Sequence, residues 1–211
     1  MRAVTGTPVI RETGNVSRRA AAYEPLKLAL DRLLAVLGLV VLWPVFALVA
    51  LAIFVDDPGP VLFQQRRAGR WHRPFTILKF RTMRRGTPHL STEDLRCLGL
   101  SPYTRLGPWL RRTSLDELPQ LLNVLRGEMS LVGPRPALLT QELVLLGREA
   151  LGVSQLRPGI TGLAQVTGRD DLTDEEKVRR DHTYLRNIGP LTDVLVLAYT
   201  VRGVLRGRGV Y

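Results

Sequence analysis

A run of 23 residues without a single charge, positions 33–55, dominates the hydrophobic pattern of this chain. Its sequence is LLAVLGLVVLWPVFALVALAIFV, fenced by Asp31-Arg32 before it and Asp56-Asp57 after it. About 20 apolar residues is the length that a bilayer core demands of a helix, so the pattern predicts a membrane segment. The run begins too late, is too long and lacks the small-residue cleavage site of a signal peptide. Pro44, at its middle, removes one helical hydrogen bond and crowds the preceding turn. Spanning helices tolerate such a kink as well, so the flanks decide the topology. Arg18, Arg19, Lys27 and Arg32 precede the run, and Arg66, Arg67, Arg70, Arg73 and Lys79 follow it. Excess Lys and Arg marks the cytoplasmic side, and here both flanks carry it. The expectation is a re-entrant helix–break–helix over residues 26–56 with Pro44 as the membrane break. Each arm would hold about eleven residues, or about 16 Å of helix.

Residues 1–25 show little periodicity and are expected to form a flexible tail. From residue 57 to 211 the pattern becomes that of a cytosolic domain punctuated by Gly and Pro. Short strands are predicted at 61–64 and 75–80, separated by a Gly- and Arg-rich turn. Residues 88–102 form a polar insert with weak signals. A helix is predicted over 118–125, opened by the segment 114–119, and stiff Pro/Gly turns at 133–136 and 157–162. Another helix is expected over 173–187, where Thr173 and Glu176 make a capping box. The last, over 191–205, is largely apolar and ends in arginines, so it either packs on the core or lies in the membrane interface. The predicted class is α+β: a re-entrant membrane hairpin followed by a small, mainly helical cytosolic domain with short strands and interfacial amphipathic helices.

Charge sharpens this picture. Thirty Lys and Arg stand against 19 Asp and Glu, a formal net charge of +11. The partners of so basic a chain are anionic: nucleic acid, phosphorylated metabolites or an acidic lipid surface. The single cysteine, Cys97, excludes an intramolecular disulfide. His72, His89 and His182 stand apart, without a second ligand at zinc spacing.

Candidate chemistry centres on RRTSLDELPQ, residues 111–120. Pro119 belongs in the first turn of a helix, which puts the helix start beside Asp116 and Glu117. Unpaired N–H groups and the helix dipole there favour a carboxylate or a phosphate. One reading is an N-cap followed by a first-turn acid; the other is a reactive pair beside Arg111 and Arg112, which can clamp a pyrophosphate. In GEMSLVGPRP, residues 127–136, Pro134 and Pro136 stiffen the backbone on either side of Arg135. Its guanidinium either holds phosphate from a rigid turn or is a surface charge. The segments RPGITG, with Arg157, and QVTGR, with Gly168 and Arg169, offer close backbone approach to a ligand or simply tight turns. Lys79 and Arg81 lie one pleat apart at a strand end, as a phosphate or lipid-headgroup contact or as a solvated face.

Taken in order, DDPGPVLFQQRRAG, KFRTM, RRTSLDELPQLLNVLRGEMSLVGPRP and RPGITGLAQVTGR, behind a hairpin with a central Pro, resemble the bacterial sugar transferases, the monotopic polyprenyl-phosphate phosphoglycosyl transferases. The resemblance runs from about Lys27 to the C-terminus, and the chain has the proportions of the minimal catalytic form. It implies a re-entrant membrane helix, an Asp-Glu dyad and a magnesium ion, with manganese as a substitute. Asp116 would then be the nucleophile and Glu117 its partner, both near the metal. Arg111, Pro134 and Arg135 fall on positions the family uses around the phosphates. Trp43 departs from the family pattern, which has a small Ser or Thr before the hairpin proline.

The implied reaction moves a sugar phosphate from a UDP-type sugar to polyprenyl phosphate on the cytoplasmic face of a bacterial inner membrane. UMP is released and a phosphosugar forms on Asp116. A homodimer stays open. The rival reading is a membrane-anchored basic module for acidic lipid or nucleic acid. It leaves the dyad unexplained, and the aromatic-interleaved platform that single strands require is missing, so nucleic acid is not the expected partner.

Overall fold

The computed structural model describes residues 9–87, 102–168 and 172–206, with side chains from residue 18 onward. Helix α1, Val9–Asp56, holds 48 residues, and its helical assignment runs without interruption through Pro25 and Pro44. A straight helix of that length would run about 72 Å, more than twice a bilayer's apolar core. It is long and apolar enough to cross a membrane. Its second half exposes Val40, Val41, Trp43, Leu48, Leu51, Phe54 and Val55 to the surroundings.

One stripe of α1 is nonetheless packed on the rest of the chain at every level. Ala20 is buried with Val153 and Leu185. Ala35 and Leu39 meet Phe75, Ile77, Leu121 and Val124. Further on, Val45, Phe46, Val49 and Ile53 meet Phe80 and Leu110, with the rings of Phe46 and Phe80 5.6 Å apart.

Of the stretch expected as a tail, the described part is helical from Val9. Three alanines at 20–22 favour helix. Beside the buried Ala20, polar bonds hold the segment in place, and these leave no hydrophobic periodicity. Tyr23 and Lys27 both hydrogen bond Asp193, and Glu24 pairs with Arg70 and Arg157.

Strands β1, Leu62–Ala68, and β2, Pro74–Phe80, form the expected hairpin, antiparallel with Leu62 opposite Phe80 and Ala68 opposite Pro74. β1 alternates between exposed and half-buried positions. β2 supplies the buried Phe75, Ile77, Leu78 and Phe80. Helix α2, Gly107–Arg112, follows. A 3₁₀ turn, Leu115–Glu117, then leads into α3, Gln120–Leu125. The turn expected at 157–162 contains β4, Gly159–Thr161, which pairs in parallel with β3, Ser130–Val132, just ahead of the turn expected at 133–136.

The glycines of these two motifs serve the pairing. A Cβ on Gly159 would stand 2.1 Å from Gly133 N, and one on Gly162 would stand 2.1 Å from Gly133 O. Between the strands lies α4, Glu142–Ala150, and after them α5, Leu163–Thr167. Helix α6, Asp174–Arg186, begins at the predicted capping box. The final helix, α7, Pro190–Leu205, exposes Leu191, Val194, Tyr199, Val201 and Leu205. Residues 88–101 of the polar insert lie outside the described residues.

Candidate active site

Asp116 and Glu117 sit on the 3₁₀ turn between α2 and α3, and three local features fix that turn. Ser114, just ahead of it, is left-handed with φ 57°, a conformation a serine holds only at a cost on the order of 1 kcal/mol. Leu115 and Leu118, on either side of the pair, pack with Val45, Phe46 and Val49 of α1, so the turn rests directly on the apolar segment. Asn123 of α3 is fully buried. Its amide donates to Thr76 O at 2.8 Å and its carbonyl accepts Leu78 N at 3.0 Å. α3 is thereby locked to β2, the strand that carries Lys79.

The two carboxylates meet different surroundings. Lys79 Nζ donates to Glu117 Oε1 at 2.7 Å, and Arg135 Nη1 reaches the same oxygen at 3.3 Å. Burial alone would raise the Glu117 pKa, but Lys79 and Arg135 outweigh it and hold the group down at about 2. Asp116 is 7% exposed, yet among the described residues no side chain hydrogen bonds its carboxylate. Burial therefore pushes its pKa up to about 6, with Glu117 adding to the shift and Lys79, Arg111 and Arg135 opposing it. Nor does Asp116 cap a helix. The N-cap of α3 is Pro119 and that of the 3₁₀ turn is Ser114, neither making a side-chain cap bond. The N-cap and first-turn-acid positions of the alternative reading are thus filled by Ser114 and by Asp116 and Glu117, but without a side-chain cap bond.

Arg135 leaves a turn fixed from both sides. Gly133 N donates to Thr161 O at 2.8 Å, and Pro134 O accepts Gly159 N at 2.9 Å. The Arg135 carbonyl accepts Arg148 Nη1 at 2.9 Å, and Arg148 is itself paired with the buried Asp181 at 2.7 Å. Arg111 ends α2, donates to Tyr103 Oη at 2.6 Å and stacks 5.2 Å from that ring. Burial lowers the Lys79 pKa, with Glu117 counteracting.

Lys79, Arg111 and Arg135 thus surround the dyad, with Pro134 building the turn beneath Arg135. Three other residues singled out in the sequence are engaged elsewhere. Arg81 binds Asp57 as the chain leaves α1. Arg157 binds Glu24 and Gly127 O beside a separate cavity of about 270 Å³ under the first half of α1. Gly168 closes α5, where a Cβ would stand 2.4 Å from Leu172. Arg169 lies outside the described residues.

A cavity of about 370 Å³ opens beside the dyad, lined by Glu117, Arg135, Arg67, Arg148, Gln165 and Lys177 among others. Of these, the sequence reading had Gln165 in the QVTGR segment but had not placed Arg67, Arg148 or Lys177 at a site. Arg67 had a usable signal, since it shares a strand face with Gln65 beside a predicted turn. Burial and the neighbouring Arg135 lower its pKa to about 10, with Glu117 opposing.

Among the described residues no cluster of three or more metal-ligating side chains exists. Magnesium does not require one, because it is commonly held by one or two carboxylates together with substrate phosphates and water. The donor set fits that pattern: among the described residues no side chain hydrogen bonds Asp116, and both bonds to Glu117 fall on Oε1.

The acidic pair, ringed by cations, thus sits on a turn that rests against a helix long and apolar enough to cross a membrane. The chain belongs to the bacterial sugar transferase family, whose pattern it matches over residues 22–207. It is 37% identical over 219 residues to the exopolysaccharide production protein ExoY of Sinorhizobium fredii, covering 97% of this chain and 92% of that protein. It is 38% identical over 188 residues to the UDP-glucose:undecaprenyl-phosphate glucose-1-phosphate transferase of Xanthomonas campestris, covering 86% of this chain and 39% of that enzyme. Identity is 35% over 201 residues to the UDP-N-acetylgalactosamine-undecaprenyl-phosphate N-acetylgalactosaminephosphotransferase of Aeromonas hydrophila, covering 89% of this chain and 45% of that enzyme. The chain therefore spans under half the length of the latter two.

Proposed function

We propose that this chain transfers a sugar 1-phosphate from a UDP-sugar to polyprenyl phosphate, with undecaprenyl phosphate as the carrier. The observation that carries the reading is the buried carboxylate of Asp116, without a side-chain hydrogen bond among the described residues and held among Lys79, Arg111 and Arg135 on a turn that rests on α1. The relatives' names support both substrates but differ in the sugar, glucose in one and N-acetylgalactosamine in another. ExoY's name supports a place in exopolysaccharide production.

Both substrates are anions, so the reaction needs fixed positive charge where phosphate charge gathers. Asp116, ionised at neutral pH and without a competing hydrogen bond, attacks the phosphorus that bears the sugar. The bond from that phosphorus to the bridging oxygen breaks, and UMP leaves with that oxygen. A phosphosugar ester on Asp116 remains. An oxygen of polyprenyl phosphate then attacks the same phosphorus, which frees the carboxylate and forms the polyprenyl diphosphate sugar. Arg135 binds phosphate from its pinned turn, while Lys79 and Arg135 keep Glu117 charged and oriented. Magnesium, or manganese in its place, would be held by Asp116 and Glu117. When bound it supplies charge neutralisation for the diphosphate.

The topology belongs to the same proposal. Both halves of α1 pack on one domain, from Ala20 to Ile53, and both flanks of the apolar run are basic. A re-entrant helix that bends at Pro44 and returns to the cytoplasmic leaflet of the inner membrane accommodates both facts. Exposed apolar side chains on α2 (Trp109) and α7 would then face the interface. Cysteines introduced at residues 18 and 206 of a Cys97→Ser variant should be equally shielded from an impermeant thiol reagent in intact cells. Labelling of one alone would establish a spanning helix.

The activity is tested with purified protein, magnesium, polyprenyl phosphate and a panel of UDP-sugars. At least one sugar should give UMP release that depends on the carrier. The absence of release across the panel would leave the membrane-anchored basic module as the reading.

A further inference from the structure

Arg67 lines the 370 Å³ cavity together with Glu117 and Arg135. Its Nε and Nη2 both donate to Gln65 Oε1, at 3.1 and 2.7 Å, and Nη1 reaches Pro136 O at 3.3 Å. All of these partners are neutral. Other arginines drawn into the fold have a carboxylate: Arg148 has Asp181, and Arg70 and Arg157 share Glu24. A half-buried cation beside a second cation, bonded only to an amide and a carbonyl, is unfavourable unless an anion joins it.

The backbone keeps the two cations together. Ala68 N donates to Ala137 O at 3.0 Å, and Arg67 bridges Leu138. β1 is thus joined to the segment that follows Arg135. The neighbour Arg66, by contrast, lies on the exposed face of the strand. A nucleoside diphosphate sugar brings negative charge on each of its two phosphates.

We infer that Arg67 is a second arm of the donor site, presented by Gln65, which holds the diphosphate of the nucleotide sugar jointly with Arg135 at the mouth of the 370 Å³ cavity. This rests on the proposed function, whose donor is a UDP-sugar. Gln65 is a positioning residue. Its single oxygen gathers two N–H groups of the fork and leaves Nη1 weakly bonded at 3.3 Å. A guanidinium so oriented offers a planar donor edge that matches a phosphate, which a lysine does not reproduce.

Equilibrium binding of UDP to the full-length protein, in one detergent or nanodisc preparation, tests the assignment. Arg67→Gln should weaken UDP by tenfold or more, because a charge-assisted bond is lost. Gln65→Glu leaves Arg67 in place but gives it an internal carboxylate, and should weaken UDP several-fold while the unfolding temperature holds or rises. Arg66→Gln removes the same formal charge from the opposite face and should stay within about twofold of wild type. Should Arg67→Gln fail to fold, Gln65→Glu carries the test alone. Wild-type UDP affinity in Gln65→Glu, or in a folded Arg67→Gln, would overturn the role of Arg67 and leave the transferase reading standing. A wild-type protein that neither binds UDP nor releases UMP from any UDP-sugar would remove both.

Discussion

Asp116 and Asp193 are equally buried, each 7% exposed, and their surroundings separate two regions of the molecule. Where α1 meets α7, Asp193 accepts hydrogen bonds from Lys27 at 2.5 Å, Tyr23 at 3.0 Å and Tyr184 at 2.7 Å. In the same network Ser130 donates to Asp31 at 2.6 Å. Those bonds attach a helix. Asp116 has cations around it but, among the described residues, no side-chain hydrogen bond, on a turn opened by a strained serine. Buried charge with partners builds structure; buried charge left without them is available for chemistry.

Exchanging each of the two aspartates for asparagine breaks the comparison most sharply. Asp116→Asn should cut turnover on the order of 10³-fold or more, since an amide does not attack phosphorus. Its effect on stability should have the opposite sign. The folded pKa of about 6 lies above the ordinary value of 3.8, so this group favours folding below pH 3.8 and loses that contribution as pH rises through about 6. At neutral pH the ionised carboxylate is therefore a liability, and its removal should stabilise the fold by about 1–3 kcal/mol. Asp193→Asn should instead cost about 1–3 kcal/mol, because Lys27 loses the nearer of its two counter-charges and keeps Asp31 at 3.6 Å. Turnover per folded molecule should be largely kept. Denaturant titration read beside UMP release checks both; a destabilised Asp116→Asn or a stabilised Asp193→Asn would erase the distinction.

Arg135→Lys follows in size. The charge is retained but the fork is lost, and turnover should fall on the order of 10²-fold while the Arg148–Asp181 pair keeps the turn in place. Near-normal turnover would reduce Arg135 to general electrostatics.

What the sequence disclosed and what it concealed divide along the same line. The apolar run, the β1–β2 hairpin, the Thr173 capping box and the Asp116-Glu117 pair were legible because each is a local pattern: a length, an alternation, a cap, a short motif. The β3–β4 pair was not, since two three-residue strands paired through Gly133 and Gly159 look like turns until both motifs are brought side by side. The docking of residues 18–31 was hidden for a related reason. Tyr23, Lys27 and Asp31 find Asp193 and Ser130 far along the chain, and polar pairs of that range leave no periodicity. Arg81 and Arg157 show the converse: cations in suggestive motifs that the fold spends on Asp57 and Glu24.

The smallest expected effect is the pH profile. Turnover should decline below about pH 6 as Asp116 gains its proton, approaching tenfold per unit, while Glu117, held at about 2, stays ionised throughout. A profile flat from pH 7 to 4.5 would separate the rate from the Asp116 carboxylate.

The central claim, that Asp116 itself carries the phosphosugar, is open to one direct measurement. Wild-type protein is mixed with magnesium and labelled UDP-sugar in the absence of polyprenyl phosphate, quenched, digested and weighed by mass spectrometry. The account predicts a stoichiometric burst of UMP and a peptide containing Asp116 that is heavier by one sugar phosphate, both absent in Asp116→Asn. An unmodified Asp116 peptide, with UMP appearing only after the carrier is added, would contradict it and establish direct transfer between the two substrates.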